Sequence, residues 1–469
     1  MFLDLDRHAA SDAPALLDEE SVAWIGYADL IRRVRAGADA LRSLSQLEYG
    51  DGKPLVFQFA GNSTAAAICY LAAVEAGAAV ALLPSGLPPV RVAHLVALYR
   101  PLVVLGNAAP DGYEGWNELP LPGAIRRDRT QPALNADLAL LLSTSGSTGS
   151  PKLVRLSRAA VEANARSIAS ALSIDASERA ALNLPISYSY GLSVLNSHLL
   201  LGASVLLSNQ GIMSRIWWDR LTAERATSMP GVPATYEMLH RLGFDTLAPA
   251  SVVTLTQAGG PLAPHLVRHF HDLMAARRGR FFVMYGQTEA TARMAVLDAG
   301  KLPEHLGSVG RAIPDGRFDV CPIDGCLSGG EIVYHGPNVM MGYAETPEDL
   351  ALGDALQGTL RTGDLGVLDG EGFLTITGRL KRMAKISGLR ISLDELEAEA
   401  RHLCPAAAVE ARHGVVLFAE TDAAGTDALR RRLELHMGLP RTAVRLKPVD
   451  ALPKTENGKV DYTTLKDWT

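Results

Sequence analysis

The sequence has no excess of positive charge and few cysteines. Its 469 residues include 45 Lys and Arg against 51 Asp and Glu, a formal net charge of -6. This balance argues against general nucleic-acid binding but permits a local basic patch for phosphates. Of the four cysteines, only Cys321 and Cys326 are close in sequence. One such pair without neighbouring histidines is weak evidence for zinc, so we expect ordinary reduced thiols.

Long uninterrupted apolar runs are also missing. The stretch from Ala65 to Leu83 is broken by Cys69, Glu75 and Gly77, which is typical of a buried helix and strand rather than a membrane span. The first residues carry acids and have no basic segment followed by an apolar core, so they do not resemble a signal peptide. We therefore expect a cytoplasmic protein with no membrane span.

Alternating helical and strand patterns predict an α/β fold. The chain is long enough for two or three domains. Helices alternate with short apolar strands, as in layers built on parallel sheets. Predicted helices lie near 27–44, 63–76 and 157–172, and predicted strands at 55–59, 79–83, 138–142, 204–207 and 251–257.

From about residue 316 the pattern changes to short strands with glycine turns. Strands are predicted at 317–321, 330–334, 366–369 and 373–377, followed by a basic stretch and a helix starting near Leu393. We predict a large N-terminal domain, 1–380, made of layered α/β subdomains plus a β-rich subdomain at about 316–378. A small α+β C-terminal domain, 381–469, should be mobile because it buries little core.

The strongest motif is a loop of Ser, Thr and Gly from Leu142 to Lys152, directly after an apolar strand. Glycines let backbone N–H groups approach a polyphosphate, and the hydroxyls add donors. The loop is not a Walker A motif, because Pro151 and Leu153 flank Lys152 where that motif needs Gly and Ser or Thr. Transfer of the γ-phosphate by a P-loop mechanism is therefore disfavoured.

With this loop, five motifs in order make the chain resemble the adenylate-forming superfamily, which includes acyl-CoA synthetases, standalone adenylation enzymes and luciferases. The resemblance covers essentially the whole chain, and it implies the AMP-dependent synthetase and ligase reaction with ATP, Mg²⁺ and, as the expected co-substrate, coenzyme A. The matching segments are Thr144 to Lys152, Tyr285-Gly-Gln-Thr-Glu289, Arg361-Thr-Gly-Asp364, Gly378-Arg-Leu-Lys381 with Gly388, and Pro453-Lys-Thr-Glu-Asn-Gly-Lys459.

The resemblance also implies residue roles. Thr144, Glu289 and Lys459 would be catalytic, with Glu289 as the Mg²⁺ ligand and Lys459 bridging the substrate carboxylate and the α-phosphate. Asp364 and Arg379 would bind the ribose, Tyr285 would stack on the adenine, and Lys381 would be the hinge. The remaining residues implied to bind the nucleotide are Ser145, Gly146, Ser147, Thr148, Gly149, Lys152, Gly259, Gly260, Pro261, Gly286, Gln287 and Thr288.

The acid substrate is less defined by the sequence. Tyr188, Val232, Ala258 and Arg293 fall where the family builds its acyl pocket. Tyr188 would guard the pocket mouth or simply pack, and Arg293 would meet a polar or anionic group of the acid or form a structural salt bridge. The segment 184–192 has no Asp to hold a substrate ammonium, so a standard α-amino acid is disfavoured.

The partners predicted are a small carboxylic acid and a thiol acceptor, with no nucleic acid. Coenzyme A is the expected acceptor, and the alternative is a carrier-protein phosphopantetheine supplied in trans by a separate protein. That alternative describes a freestanding adenylation enzyme for an unusual acyl, aryl or amino acid. An inactive relative acting as a binding module is disfavoured because Glu289, Asp364, Arg379 and Lys459 are all present. Luciferase-like oxidation is possible on this fold, but no residue points to it.

Overall fold

The computed structural model describes residues 1–20, 23–48, 53–107, 109–143, 152–323, 329–386, 389–411, 414–437, 444–454 and 460–469. The α/β class is confirmed. The helices are α1 Tyr27–Glu48, α2 Thr64–Glu75, α3 Pro89–Tyr99, α4 Arg158–Leu172, α5 Ser189–Leu200, α6 Arg215–Ala223, α7 Pro233–Leu242, α8 Phe244–Leu247, α9 Pro264–Ala276, α10 Leu393–Ala400, α11 Ala423–Met437 and α12 Tyr462–Asp467.

The strands are short, as expected from the sequence. They are β1 Pro14–Leu17, β2 Ile25–Gly26, β3 Leu55–Phe59, β4 Ala79–Leu83, β5 Val103–Leu105, β6 Tyr113–Trp116, β7 Gly123–Arg126, β8 Leu138–Ser143, β9 Leu153–Ser157, β10 Arg179–Leu182, β11 Ser204–Leu207, β12 Ser228–Gly231, β13 Thr254–Gln257, β14 Arg280–Tyr285, β15 Ala295–Leu297, β16 Arg311–Ala312, β17 Arg317–Pro322, β18 Gly330–His335, β19 Gly342–Ala344, β20 Thr359–Leu368, β21 Leu374–Arg379, β22 Met383–Ile386, β23 Leu389–Ser392, β24 Ala406–Ala411, β25 Gly414–Glu420 and β26 Val444–Val449.

Backbone contacts divide the chain into two compact units. The first comprises 1–317 and 335–360, and the second comprises 318–334 and 361–469. Of the predicted β-rich segment, 318–334 and 361–378 fall in the same unit as the C-terminal part, and 335–360 fall in the first unit. One reason is that α10 contacts β21. The boundary near residue 380 and the mobility of the C-terminal domain stay predictions.

Two sheets with helices between them form the first unit. One sheet has the strand order β16-β15-β14-β13-β12-β10-β11-β1-β2, and the other β19-β9-β8-β4-β3-β5-β7-β6. Helix α5 packs on β10 and β11, while α2 packs on β3 and β4 of the other sheet. Every residue of α5 is buried, and Asn196 on α5 donates to the hydroxyl of Tyr70 on α2 at 3.1 Å. Burial on both sides explains why α2 is apolar around most of its circumference.

The second unit contains three small sheets, with the orders β17-β18-β20-β21, β22-β23 and β24-β25-β26. Strand β20 begins at Thr359, seven residues before the predicted start at 366, because the segment with the Arg-Thr-Gly-Asp motif also belongs to the sheet, where Asp364 pairs with Arg379. Helices α10 and α11 pack with β24 and β26 around an apolar cluster that includes Leu396, Leu417 and Leu429.

Within the described residues, no helix is both long and apolar enough to cross a membrane.

Candidate active site

Three neighbouring parallel strands of the first unit end at the same edge. Strands β12, β13 and β14 align Gly231 with Gln257 and Gln257 with Val283. Carboxyl ends of parallel strands form the usual ligand edge of an open α/β sheet. The segments that follow these three ends carry a group of the residues predicted to bind the nucleotide, the acid or Mg²⁺: Val232, 258–261 and 286–289.

Gly259, Tyr188 and Val232 lie together at this edge. The φ angle of Gly259 is 87°, and a Cβ there would lie 2.8 Å from the Tyr188 hydroxyl and 3.2 Å from Val232 Cγ1. A side chain at this position would therefore be strained and would crowd both neighbours. The Gln257 side-chain amide donates to the Gly260 carbonyl at 2.8 Å, which fixes the loop.

The other predicted residues of this edge differ in exposure. Ala258 is buried at 2% exposure, whereas Pro261 is exposed. Tyr285 ends β14 almost buried, and Gln287 Nε2 lies 3.5 Å from its hydroxyl. Thr288 Oγ1 lies 3.1 Å from Ser189 Oγ at the start of α5. The structure thus gathers the predicted adenine and acyl residues, while their roles stay predictions.

The turn from Gly286 to Arg293 has an unusual backbone. A Cβ on Gly286 would lie 1.6 Å from the Ala292 carbonyl oxygen, so the residue must be glycine. Thr291 and Ala292 have φ angles of 63° and 143°, in the left-handed region that costs a non-glycine residue about 1–3 kcal/mol. Such strain persists only where surrounding contacts hold it.

Buried amides supply those contacts. Asn338 Nδ2 donates to the carbonyls of Ala290 and Arg293 at 2.8 and 2.9 Å, and Thr291 Oγ1 donates to the Asn338 carbonyl at 2.6 Å. Asn164 on α4 donates to the same Arg293 carbonyl at 3.0 Å. The turn therefore holds Glu289 at one end and Arg293 at the other in fixed places.

Glu289, Tyr343 and Lys152 form one connected group. The Tyr343 hydroxyl donates to Glu289 Oε1 at 2.8 Å, and Lys152 Nζ lies 3.5 Å from the centre of the Tyr343 ring. Lys152 also forms an ion pair with Glu345 at 3.3 Å. Burial, and secondarily the charge of Glu289, raises the pKa of Tyr343, so its hydroxyl remains a donor. Sequence reasoning selected Glu289 and Lys152 but missed Tyr343.

Arg155 holds the strand that carries Tyr343. Its buried guanidinium donates to the carbonyls of Tyr343 and Met341 at 3.1 and 3.2 Å, and also to that of Leu352. Strand β19 pairs with β9 so that Tyr343 faces Val154. Arg155 was not selected from the sequence, because a lone Arg after the loop motif usually means a solvated charge.

Arg293 has no salt bridge within the described ranges. Its side chain is 2% exposed, and its guanidinium carbon lies 4.7 Å from the centre of the Tyr190 ring. The described carboxylates all lie beyond ion-pair distance from it, so the structural salt bridge considered from the sequence is not found there.

Asp364 and Arg379 come together in the second unit. They face each other across the β20–β21 ladder, and Arg379 Nε lies 3.1 Å from Asp364 Oδ1. Asp364 is buried, whereas the side chain of Arg379 is 69% exposed. An ion-paired, exposed guanidinium beside a carboxylate suits the recognition of hydroxyl groups, and the ribose role stays a prediction.

The remaining predictions fall outside the described residues. These are Thr144, Ser145, Gly146, Ser147, Thr148, Gly149, Gly388 and Lys459. The backbone of Lys381 lies in the 3-10 turn Leu380–Arg382. The ends of the phosphate loop are nonetheless fixed, because Ser143 pairs with Leu153 across β8 and β9.

A family model described as AMP-binding enzyme matches residues 5–344. The chain belongs to this family, and with it to the adenylate-forming superfamily. This AMP-binding enzyme is 29% identical over 349 residues to a feruloyl-CoA synthase of an Amycolatopsis species, covering 69% of this chain and 68% of the relative. It is 32% identical to the sulfoacetate–CoA ligase of Cupriavidus necator, over 76% of this chain and 72% of that one.

The fold of this AMP-binding enzyme is also found in solved structures. It resembles the O-succinylbenzoate coenzyme A synthetase of Bacillus subtilis in complex with AMP, with a TM-score of 0.77 and 22% identity. The match covers 99% of this chain and 98% of that one. The fold of a large α/β domain with a further C-terminal domain is therefore shared along the whole chain.

Proposed function

We propose that this AMP-binding enzyme is an AMP-forming acid–coenzyme A ligase. An oxygen of the acid attacks the α-phosphorus of ATP, the bond to pyrophosphate breaks, and an acyl-adenylate forms. The thiol of coenzyme A then loses its proton and attacks the acyl carbon, and AMP leaves. The group of Glu289, Tyr343 and Lys152 beside the strand edge is the observation that carries the proposal. It supplies a carboxylate for Mg²⁺ and a cation for the phosphates of ATP.

The residues fit a magnesium ion held together with phosphates. Mg²⁺ typically takes one or two protein carboxylates and completes its shell with phosphate oxygens and water. Glu289 offers a half-buried carboxylate whose Oε1 is oriented by Tyr343. The described residues contain no group of three or more His, Cys, Asp or Glu that would hold a metal alone. Bound Mg²⁺ supplies charge neutralisation for the phosphates.

Residues of this chain provide the remaining functions. Lys152 places a cation at the end of the phosphate loop, next to Glu289. Tyr188 and Val232 border the place where Gly259 leaves room for a ligand. Asp364 and Arg379 present a carboxylate and a guanidinium for the ribose hydroxyls. Preorganised charges of this kind lower the cost of bringing two anions, carboxylate and phosphate, together.

Coenzyme A is the proposed acceptor because both curated relatives described above are named as coenzyme A enzymes. Since ATP and coenzyme A are both cytoplasmic metabolites, we place the reaction in the cytoplasm.

AMP release tests the proposed function directly. Purified protein would be incubated with ATP, Mg²⁺ and a panel of fatty, aryl, dicarboxylic and amino acids, with and without coenzyme A. We expect acid-dependent AMP release that requires coenzyme A. Adenylate formation that stalls with coenzyme A present would instead support loading of a carrier protein. Absence of activity with every acid would contradict the proposal and favour an inactive relative.

Lys459 separates the two half-reactions in our proposal. We expect Lys459→Ala to slow adenylation by about 10² to 10³-fold, as for loss of one preorganised donor. Thioester formation from a supplied acyl-adenylate should be spared, because Lys459 contacts the reacting carboxylate only in the first step. Single-turnover measurements of each half-reaction check this, with Lys466→Ala as the matched control. Equal losses in both halves would refute this division.

A further inference from the structure

Arg293 is a buried cation without a charged partner among the residues that the structure describes. Its side chain is 2% exposed, and neither a carboxylate nor a carbonyl of the described residues accepts a hydrogen bond from its guanidinium. The Nε atom is buried with no acceptor. An arginine cannot lose its proton in a protein, and a buried charge is normally paired or hydrogen-bonded. A partner for Arg293 is therefore missing from the part of the chain that the structure describes.

The position of Arg293 is fixed by its backbone. Its carbonyl accepts hydrogen bonds from Asn164 and Asn338, at 3.0 and 2.9 Å. It ends the strained turn that begins at Gly286 and carries Glu289. Backbone strain that several buried contacts maintain is typical of functional sites, which indicates a function for the Arg293 side chain.

The guanidinium lies behind a pair of tyrosines at the ligand edge. Its central carbon is 4.7 Å from the centre of the Tyr190 ring, and the rings of Tyr188 and Tyr190 are 6.4 Å apart. Tyr188 is half-buried, with its hydroxyl beside Gly259. Burial raises the pKa of Tyr188 and the charge of Arg293 opposes this effect, so the two groups act on each other. Tyr188 and Tyr190 thus connect the ligand edge with Arg293.

The space beyond Arg293 is nearly full. A cavity of about 20 Å³, lined by Arg293, Tyr190, Ser228 and Met284, has room for about one water molecule. Glu178, a carboxylate that also lines this cavity, is paired with Arg280 at 3.1 Å. The cavity beside Arg293 therefore has no room for a long apolar chain.

We propose that Arg293 determines acid specificity by binding a second anionic group of the substrate, so that the acid is compact and carries a carboxylate or sulfonate besides its reacting carboxylate. A planar guanidinium binds either oxyanion through two parallel hydrogen bonds. The inference rests on the proposed ligase function, since it assigns the acid of that reaction.

Matched acids test this assignment. AMP release would be measured with succinate, glutarate and 3-sulfopropionate, each against the neutral analogue in which the distal group is an amide or a sulfonamide. We expect the wild-type enzyme to prefer the dianionic acids by at least about 10²-fold in kcat/KM, because a neutral distal group would leave the buried guanidinium of Arg293 without an anionic partner. Comparing the dicarboxylic acids with 3-sulfopropionate shows whether the enzyme prefers a carboxylate or a sulfonate as the second anionic group.

Arg293→Met should abolish the preference. We expect kcat/KM for the dianionic acids to fall by about 10² to 10³-fold while the neutral analogues change by only a few-fold, with Arg293→Lys retaining part of the preference. Arg277→Met is the matched control, because Arg277 also stacks on an aromatic ring, that of Phe244 at 5.1 Å, without touching this region. It should leave the preference unchanged.

A binding measurement separates this inference from the ligase function. Calorimetry with non-hydrolysable sulfamoyl-adenosine analogues of the succinyl and succinamyl adenylates reads recognition without turnover. Tighter binding of the succinyl analogue that is lost in Arg293→Met would support the role of Arg293, even if the enzyme turned over no acid. Absence of turnover would contradict only the ligase proposal. Equal binding of both analogues, or a preference unchanged in folded Arg293→Met, would overturn the inference.

Discussion

Tyr343 is the residue that connects the two charged groups of the candidate active site. It lies 54 residues after Glu289 in sequence, donates to its carboxylate, and supports Lys152 on its ring face. A cation over an aromatic face and a hydrogen bond from the ring hydroxyl both depend on the ring being held in one place. The backbone carbonyl of Tyr343, held by Arg155, provides this.

Tyr343→Phe tests how far the orientation of Glu289 matters. The ring under Lys152 remains, but the hydrogen bond to Glu289 is lost. We expect the Mg²⁺ concentration required for half-maximal activity to rise by about 10-fold or more, as for loss of a partner that orients a metal ligand. Calorimetric titration of ATP with Mg²⁺ into the variant should show a matching loss of affinity.

The matched control for this change is Tyr113→Phe, which removes a buried hydroxyl bonded to the Pro101 carbonyl at 2.6 Å. It should alter stability but leave the Mg²⁺ requirement unchanged. An identical Mg²⁺ requirement in Tyr343→Phe and wild type would show that Glu289 needs no such orientation.

At this scale the sequence predicted charged residues better than their partners. Glu289 and Lys152 were selected from motifs, and the structure places both beside Tyr343. Tyr343, Asn338 and Arg155 act by contacts between segments far apart in the chain, which no local pattern reveals. The sequence left two roles open for Arg293, contact with the acid or a structural salt bridge. Its burial without a carboxylate partner in the described ranges favours contact with the acid.

The segment from β19 to the 3-10 turn Pro347–Ala351 is the element that positions Tyr343. Arg155 donates to carbonyls on both sides of it, and Gly342, with a φ of 132°, leaves space where a Cβ would lie 2.9 Å from Arg155 Nη2. The turn begins with Asp349 accepting from the amides of Glu345 and Thr346, each at 2.8 Å. These bonds satisfy donors that a helix start leaves unpaired.

Asp349→Ala should cost about 1 kcal/mol of the free energy of unfolding at neutral pH. The two backbone amides lower the pKa of Asp349 below its usual range. The stabilisation by Asp349 is therefore complete above the pKa of an Asp in the unfolded chain, about 4. It is lost as the pH falls through the lower pKa of Asp349 in the folded protein. Urea unfolding of variant and wild type at pH 7 and at acid pH measures this difference.

Glu348→Ala is the control for Asp349, since Glu348 is exposed in the same turn. Its effect should stay within about 0.5 kcal/mol. A penalty for Asp349→Ala that is the same at neutral and acid pH would show that the carboxylate charge is not what stabilises the turn.

Elements with a clear local pattern were predicted closely. Strands 55–59, 79–83 and 204–207 have the predicted bounds, because each is a fully buried and mostly apolar run between polar or glycine-containing turns. Strand β20 was predicted too short, since pairing with β18 and β21 overrides the turn-forming residues of its first half.

The second unit has a polar stabilising centre of its own. In the second unit, the buried carboxylate of Glu397 on α10 accepts hydrogen bonds from the Ala408 amide at 2.7 Å, the Tyr462 hydroxyl at 3.0 Å, and Arg382. It thus joins α10, β24 and α12 with the segment that precedes β22. A small domain with a limited apolar core depends strongly on such a network.

Glu397→Gln should destabilise the second unit by about 3 kcal/mol, because it removes one member of a buried ion pair and leaves Arg382 undercompensated. Hydrogen exchange read by mass spectrometry is the suitable measurement, since it reports each segment separately. We expect faster exchange in β24 and β25, with β3 and β4 of the first unit unchanged. Glu410→Gln, at an exposed position of β24, is the control. Uniform changes in both units would contradict separate stabilising centres.

The sequence by itself determined the α/β class, the family, the order of the motifs and the residue types that handle phosphate, because these depend on local periodicity and on chemistry carried within short segments. Only the tertiary structure decided which side chains meet: Tyr343 with Glu289, Asp364 with Arg379, and Arg293 with Tyr190. These pairs join residues brought together by strand pairing and burial, and the strained turn that holds Arg293 is maintained by amides from distant segments. Such contacts cannot be predicted from local sequence, because they form only once the sheets and helices have packed.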